Sequence, residues 1–262
     1  MENPAPSPAA VPAALSPVGD LLSSGANVTL ENAGALLGVW AACHLPAQAL
    51  GFVVGMTTGL VDKASLQTSL ETHDFGRLAA LAAVGLFGMA LGMLGYATSI
   101  LLAARALRGQ AVVLGDLLVE GVGRTISVMF ASLVVGVCVG LGAMALILPG
   151  LYLLLRLFLT VTATCVDGLG PLSAFGRSWA LTRGRLRGSA AFLGALFVIG
   201  LLTGAALIAA SLVLRMIGGV AGPAGGALAG LVVNLFQFMV SAWGAACMTK
   251  FYLELADLPP PA

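Results

Sequence analysis

Arg156 is the residue whose position in the sequence raises the clearest chemical question. It lies in the apolar run ILPGLYLLLRLFLT, residues 147–160, and no acidic residue stands nearby to neutralise it. An arginine near the centre of a bilayer costs about 2.5–3.5 kcal/mol or more. The chain must therefore give this side chain a route to water, a set of hydrogen-bond acceptors, or an anionic ligand.

Three interpretations of Arg156 are open. Its side chain can snorkel to the membrane surface if the helix is short and tilted. It can bind open carbonyls or a carboxylate inside the protein, although Asp167 lies about 16 Å further along a continuous helix. It can also bind a lipid phosphate, which matches the guanidinium fork. We hypothesise that Arg156 joins Arg177, Arg183 and Arg185 in a site for anionic headgroups.

Other residues that could do chemistry give weaker signals. Asp116 and Glu120 are spaced four residues apart in the connection GQAVVLGDLLVEGVGR. Such a pair can serve a metal or acid–base chemistry, or it can form a solvated helix face that pairs with nearby arginines. His44 stands in an apolar segment, where a histidine is either a proton carrier or a packed, hydrogen-bonded side chain. Because no catalytic sequence motif occurs, we expect no enzyme, cofactor or metal site.

The composition is that of an integral membrane protein. Hydrophobic residues make up 59% of the 262 residues and charged residues only 9%, whereas soluble domains carry about 25% charged residues. A net charge of +1 provides no field that would recruit nucleic acid. The four cysteines lie in apolar segments, which favours buried free thiols.

We predict an all-α, polytopic bundle of six transmembrane helices. The fourth span is short for a bilayer, so it is either tilted or paired with the third in a hairpin through Pro149-Gly150. A Pro- and Ala-rich tail, residues 1–24, is expected to be disordered and uncleaved. The transmembrane domain then covers residues 25–255, and a short tail covers 256–262. The predicted spans are 33–60, 78–104, 125–148, 151–166, 189–216 and 226–252.

Basic residues in the connections predict both termini in the cytoplasm. Three basic residues fall on the outer side: Lys63, Arg77 and Arg215. Eight fall on the cytoplasmic side: Arg105, Arg108, Arg124, Arg177, Arg183, Arg185, Arg187 and Lys250.

The segment GPLSAFGRSWALTRGRLRG is expected to form an amphipathic helix at the cytoplasmic membrane surface. Pro171 suits the first turn of a helix. An apolar stripe at helical spacing and flanking arginines would face lipid tails and anionic headgroups respectively. An unstructured basic linker accounts for the charge but not for the stripe. The stripe consists of Leu172, Phe175, Trp179, Thr182 and Leu186.

Glycines repeat every four residues within three of the spans. Small residues at this spacing let helices approach closely, so we predict tight packing within the bundle. The face in the first span is an alternative contact for a homo-oligomer. These glycines are Gly51, Gly55, Gly59, Gly88, Gly92, Gly136 and Gly140.

The order of features over residues 105–190 resembles a family of six-helix bacterial membrane proteins. That family includes the membrane domain of glycerophosphoryl diester phosphodiesterases and stand-alone relatives of unknown function. Its pattern is a PG-Y-R segment, an acidic residue, a Gly-Pro-type break and an RSW-LT-G helix; Asp167 departs from it, since Glu is more usual there. The matching residues are Pro149, Gly150, Tyr152, Arg156, Asp167, Gly170, Arg177, Ser178, Trp179, Leu181, Thr182 and Gly184.

The resemblance implies a module of the bacterial inner membrane that organises or handles envelope components. The phosphodiesterase of those relatives is a separate soluble domain, so we carry over no hydrolase activity. We predict a non-enzymatic protein that binds anionic lipid headgroups at the cytoplasmic leaflet, a membrane partner protein or a second copy of itself. The alternative is a transporter or channel for a small molecule or lipid, to which His44, Arg156 and the break near Pro149 point.

Overall fold

The computed structural model describes residues 15–58, 75–220 and 222–258. Over these residues the chain is built from α-helices, as predicted. The helices are α1 Val18–Glu31, α2 Ala33–Thr58, α3 Phe75–Leu107, α4 Leu114–Ala145, α5 Ile147–Leu157, α6 Thr160–Val166, α7 Pro171–Thr182, α8 Leu186–Val220 and α9 Gly222–Asp257.

Six segments of the described chain are long and apolar enough to cross a membrane, which confirms the predicted number. The fourth consists of α5 and α6, and half of its apolar window is buried inside the protein, against 28% or less in the other five. This short span is therefore the most enclosed one. The six are Ala33–Val54, Phe75–Leu107, Leu114–Ala145, Ile147–Val166, Leu186–Leu214 and Leu228–Asp257.

Helices α4 and α5 form a hairpin, but its turn is not at the predicted Pro149-Gly150. The turn lies at Leu146, whose backbone is extended, and Pro149 stands in the first turn of α5, where its missing N–H breaks no helical bond. Gly150 faces α4, because a Cβ placed on it would lie 2.6 Å from the backbone nitrogen of Ala143. The Pro-Gly pair thus starts and packs α5, and it does not form the turn.

Helix α1 contradicts the prediction of disorder for the last part of the N-terminal tail. Leu21, Gly25 and Val28 are buried on one face of α1, at the spacing of an amphipathic helix. Just before the helix, Ser16 donates hydrogen bonds of 3.1 and 2.9 Å to the carboxylate of Glu254. The packed domain therefore starts well before residue 25, and residues 1–14 of the predicted tail lie outside the described chain. At the other end, α9 continues two residues past the predicted boundary, to Asp257.

The segment around Asp116 and Glu120 is not a separate connection. It forms the first turns of α4, which runs without interruption from Leu114 into the third span. Helical spacing predicts one apolar face in this segment, formed by Leu114, Leu117, Leu118 and Val122. Leu117 is fully buried among α2, α3 and α9, whereas Val122 is 60% exposed. The apolar face was therefore correct only in its first turns.

Within the described chain, the predicted glycine faces do not bring helices into close contact. Gly51 makes only an ordinary contact with Val84, since a Cβ would lie 3.8 Å away. Gly59 lies outside the described residues, and the surroundings of Gly55 are not described. A four-residue repeat marks one helix face but not what lies opposite it. A Cβ would meet no atom within 4 Å at Gly88, Gly92, Gly136 and Gly140. Close approaches occur instead at Gly25, Gly38, Gly121 and Gly150.

The largest buried apolar cluster joins α1, the α5–α6 junction, α7, α8 and α9. Its aromatic centre is Phe192 stacked on Phe251, with ring centroids 4.4 Å apart. The same end of the bundle carries most of the basic residues, and we call it the basic end. Three of the four free thiols, Cys43, Cys165 and Cys247, are buried as predicted, and Cys138 is half-buried.

Candidate functional site

Arg156 lies where the fourth span is interrupted. Helix α5 ends one residue later at Leu157, and two residues separate it from α6. The backbone carbonyl of Arg156 accepts a hydrogen bond of 2.7 Å from the Ser178 hydroxyl, and the Thr182 hydroxyl is 3.5 Å from the same oxygen. Two small polar side chains, one helical turn apart, thus hold α7 against this junction.

The side chain of Arg156 lies between aromatic rings. Its Nε donates a hydrogen bond of 3.0 Å to the Tyr152 hydroxyl, one turn earlier in α5. Its Cζ is 5.2 Å from the centre of the Tyr152 ring and 5.0 Å from that of Trp179, which is within the range of cation–π attraction. The Trp179 ring in turn stacks on Phe175, at 6.3 Å between centroids. We call Tyr152, Arg156, Phe175 and Trp179 the arginine cage.

The cage neutralises the arginine only in part. Arg156 is 8% exposed, and its Nη1 is buried without a hydrogen-bond partner among the described residues. Cation–π contacts contribute about 2 kcal/mol each when desolvated, whereas burying an unpaired ion costs several kcal/mol. A buried donor with positive charge and no acceptor is the arrangement that an anion would complete.

The geometry narrows the interpretations of Arg156. Its burial argues against snorkelling, since a snorkelling side chain keeps its charged head in water. Asp167 does not reach it, because that carboxylate binds Tyr252 and Arg177 instead. Among the described residues Arg156 is held by the Tyr152 hydroxyl and two aromatic rings, an arrangement compatible both with a structural role and with the binding of an anionic group.

Asp167, Arg177 and Tyr252 form a second polar cluster at the basic end. The Tyr252 hydroxyl donates a hydrogen bond to Asp167 Oδ2, and Arg177 Nε lies 3.6 Å from the same oxygen. A hydrogen bond with Tyr252, supported by the Asp167 charge, raises the pKa of the Arg177 guanidinium, so this group stays charged. Gly168, at φ +68°, turns the chain between α6 and α7 and leaves no room for a Cβ beside Arg124. This cluster ties α7 to the last turns of α9.

The paired carboxylates of the sequence have different surroundings. Glu120 lies 2.7 Å from Arg105 Nη2 and 3.5 Å from Arg124 Nη2, so it joins α3 to α4 through ion pairs. Asp116 is exposed one turn earlier. The interpretation that these carboxylates pair with nearby arginines is therefore correct for Glu120.

The predicted four-arginine site is divided in the structure. Arg156 is in the cage, Arg177 is in the second cluster, and Arg185 Nη1 lies 3.5 Å from the carbonyl oxygen of Leu255 at the end of α9. Arg183 follows α7 and is exposed. Helix α7 thus places Arg177 in the second cluster and turns Trp179 towards Arg156.

The helix predicted from Pro171 exists, but its buried face differs from the predicted stripe. Leu172 is 79% exposed, Phe175 and Trp179 are half-buried, and residues on the neighbouring face are buried instead. The stripe correctly marks an outward apolar edge, except at Thr182, which is buried, and Leu186, which begins α8. The buried face consists of Ala174, Ser178, Leu181 and Thr182.

Sequence reasoning did not assign a site role to three residues that build these clusters. Tyr152 lies four residues before Arg156, a spacing that places two side chains side by side on a helix, so this contact could have been predicted. Ser178 and Tyr252 could not, because their contacts depend on how α7 and α9 return to the fourth span.

The chain belongs to the family described as Domain of unknown function (DUF7847), whose model matches residues 17–255. The match starts one residue before α1, so it includes the helix that the predicted tail boundary divided. No curated protein and no solved structure matches the chain.

Proposed function

We propose that this member of the DUF7847 family is a non-enzymatic, multi-pass membrane protein that binds an anionic lipid headgroup at Arg156. The main support for this proposal is the buried guanidinium of Arg156, whose Nη1 has no hydrogen-bond acceptor among the described residues. A phosphate oxygen at this position would supply both an acceptor and the missing negative charge. The flat faces of Tyr152 and Trp179 would keep the guanidinium oriented towards it.

Helix α7 supports a position at headgroup depth. It presents the exposed Leu172 and the half-buried Trp179 on its outer edge, beside the exposed Arg177 and Arg183. Tryptophan is enriched at membrane interfaces, and each basic residue near an anionic leaflet contributes about 1 kcal/mol of attraction. In this proposal α7 lies on the membrane surface and brings anionic lipid to the arginine cage.

The charge distribution supports a cytoplasmic location of the basic end, and therefore of both termini, in a bacterial inner membrane. The proposed relationship to the membrane domain of glycerophosphoryl diester phosphodiesterases is supported by the cage itself. Tyr152, Arg156, Ser178 and Trp179 belong to the shared pattern and contact one another. The pattern would then specify one structural unit, and lipids, a membrane partner or a second copy would be its partners.

A second candidate function is transport of a small molecule or lipid. Cavities of about 800 and 140 Å³ next to His44, within the membrane-spanning helices, favour it. Flux measurements in liposomes would test this candidate directly.

Thermal unfolding in nanodiscs tests the headgroup proposal. Phosphatidylglycerol added to phosphatidylcholine should raise the Tm of the wild type, because a ligand that binds only the folded state stabilises it. Arg156→Gln should lose this rise, and Arg183→Gln, which removes the same charge from an exposed position, should keep it. An equal rise in Arg156→Gln would refute the proposal. If Arg156→Gln does not fold, Arg156→Lys makes the same comparison, since it keeps the charge and loses the fork.

A further inference from the structure

A group of three neighbouring cavities lies among α2, α3, α8 and α9, away from the arginine cage. The smallest, about 140 Å³, is lined by His44, Ser99 and Gln237 among others. It adjoins cavities of about 800 and 480 Å³, and all three share Asn234. We call these cavities the central cup.

The cup is polar at a depth where polar groups are costly. His44 and Gln48 lie near the middle of the first candidate span, and Asn234 and Gln237 lie inside the last one. In lipid no water satisfies such groups, and each unsatisfied group costs several kcal/mol. Side chains of this kind at membrane depth are expected to bind one another or to serve a ligand.

Contacts within the protein satisfy only part of the cup. Trp40 Nε1 donates a hydrogen bond of 2.9 Å to Asn234 Oδ1, which joins α2 to α9. His44 Nδ1 is buried, and no well-formed hydrogen bond reaches it from the described residues. The backbone of Trp40, one turn earlier in α2, interacts with the imidazole only weakly. Gln48 and Gln237 also line the cavities; both residues are exposed, and their carboxamides have no hydrogen-bond partner in the described chain.

Towards the basic end the cup is closed. Phe238 and Ala242 line the smallest cavity and belong to a buried apolar cluster with Leu36, Val39 and Leu101. The Phe238 ring meets the His44 ring edge-on, at 5.1 Å between centroids. This packed apolar floor closes the cavity at one end, so in the conformation described here it is a pocket that can hold a ligand and not an open channel.

The lining also specifies the chemistry of the occupant. Among the described lining residues there is no charged side chain, so an ion would find no counter-charge. Carboxamides and an imidazole offer both hydrogen-bond donors and acceptors. A hydroxyl group can pair with either kind, because its oxygen both donates and accepts a hydrogen bond. The largest cavity adds apolar walls from Leu45, Phe52 and Val84.

We propose that the central cup binds an uncharged ligand through its hydroxyl groups, with His44, Gln48, Asn234 and Gln237 as hydrogen-bonding partners. The hydroxyls belong either to a free polyol or to the head of a neutral lipid whose chain lies along the apolar wall. This site does not depend on Arg156 or on the proposed binding of anionic headgroups.

Chemical modification of His44 tests the proposal in the intact protein. Wild-type chains in phosphatidylcholine nanodiscs are treated with diethyl pyrocarbonate, and modification of His44 and His73 is followed by peptide mass spectrometry. Two probes carry the hydroxyls: glycerol as a free polyol, and 1-oleoylglycerol as a neutral lipid. Either should slow modification of His44 about fivefold once its concentration is four times its dissociation constant. His73, in the polar segment ETHDFGR, serves as the internal control.

The outcomes separate the two sources of the ligand. Protection by glycerol assigns a soluble polyol, and protection by 1-oleoylglycerol alone assigns a neutral lipid. Gln237→Leu, which breaks no hydrogen bond of the described protein, should weaken protection by the effective probe. The proposal is overturned if His44 does not react, if neither probe protects it, or if His73 is slowed to the same extent.

Discussion

Arg156 shows which properties of a single residue can be predicted from sequence. A cation in an apolar run is costly wherever the run is placed, so its importance followed from composition alone. The spacing argument also held for Asp167, which was too far along the helix to pair directly and binds Arg177 and Tyr252. The contact with Trp179 could not be predicted, because it depends on the fold of α7 over the end of α5.

Ser178→Ala should destabilise the protein by about 1 kcal/mol. The substitution removes the hydroxyl that α7 donates to the Arg156 carbonyl at 2.7 Å, and net hydrogen-bond contributions are about that size in water and in membrane bundles. The free energy of unfolding in mixed micelles measures the effect. Ser173→Ala is the matched control, since Ser173 lies in the same helix and is exposed. Equal stability of both variants would show that this bond does not hold α7.

At the scale of helices, hydrophobic length predicted which segments form them, but not which faces meet. The six spans followed from composition, since about 20 apolar residues are needed to cross a bilayer. Helix α1 was missed because its short amphipathic pattern stands next to a Pro- and Ala-rich stretch. The glycine repeats were misassigned because spacing gives a face and only the tertiary structure gives its neighbour.

Gly150→Ala and Gly140→Ala should have opposite consequences for the α4–α5 hairpin. A Cβ on Gly150 would lie 2.6 Å from backbone nitrogen and 2.7 Å from Cα of Ala143, so the helices must separate at a cost of about 1–3 kcal/mol. A Cβ on Gly140 meets no atom within 4 Å, and alanine favours the helix by up to about 1 kcal/mol over glycine. Unfolding in mixed micelles compares them, and a larger loss at Gly140 would contradict the observed packing.

At the scale of the whole molecule, the two candidate sites occupy regions of different character. The arginine cage adjoins the largest buried cluster, where α1, α7 and α9 meet the fourth span. The central cup lies among the spans on the other side of a packed apolar floor. Gln48, Asn234 and Gln237 come from the first and last spans, so only the assembled bundle brings them together. The sequence indicated the membrane class, Arg156 and His44, but it could not show which residues of the last span meet His44.

The central claim is that Arg156 binds an anionic headgroup. Native mass spectrometry in mild detergent, after purification from membranes, tests it most directly on wild type, Arg156→Gln and Arg183→Gln. We predict that the wild type and Arg183→Gln retain an anionic phospholipid and that Arg156→Gln does not. Identical lipid adducts in all three proteins would contradict the claim and would make Arg156 a structural residue held by its aromatic cage.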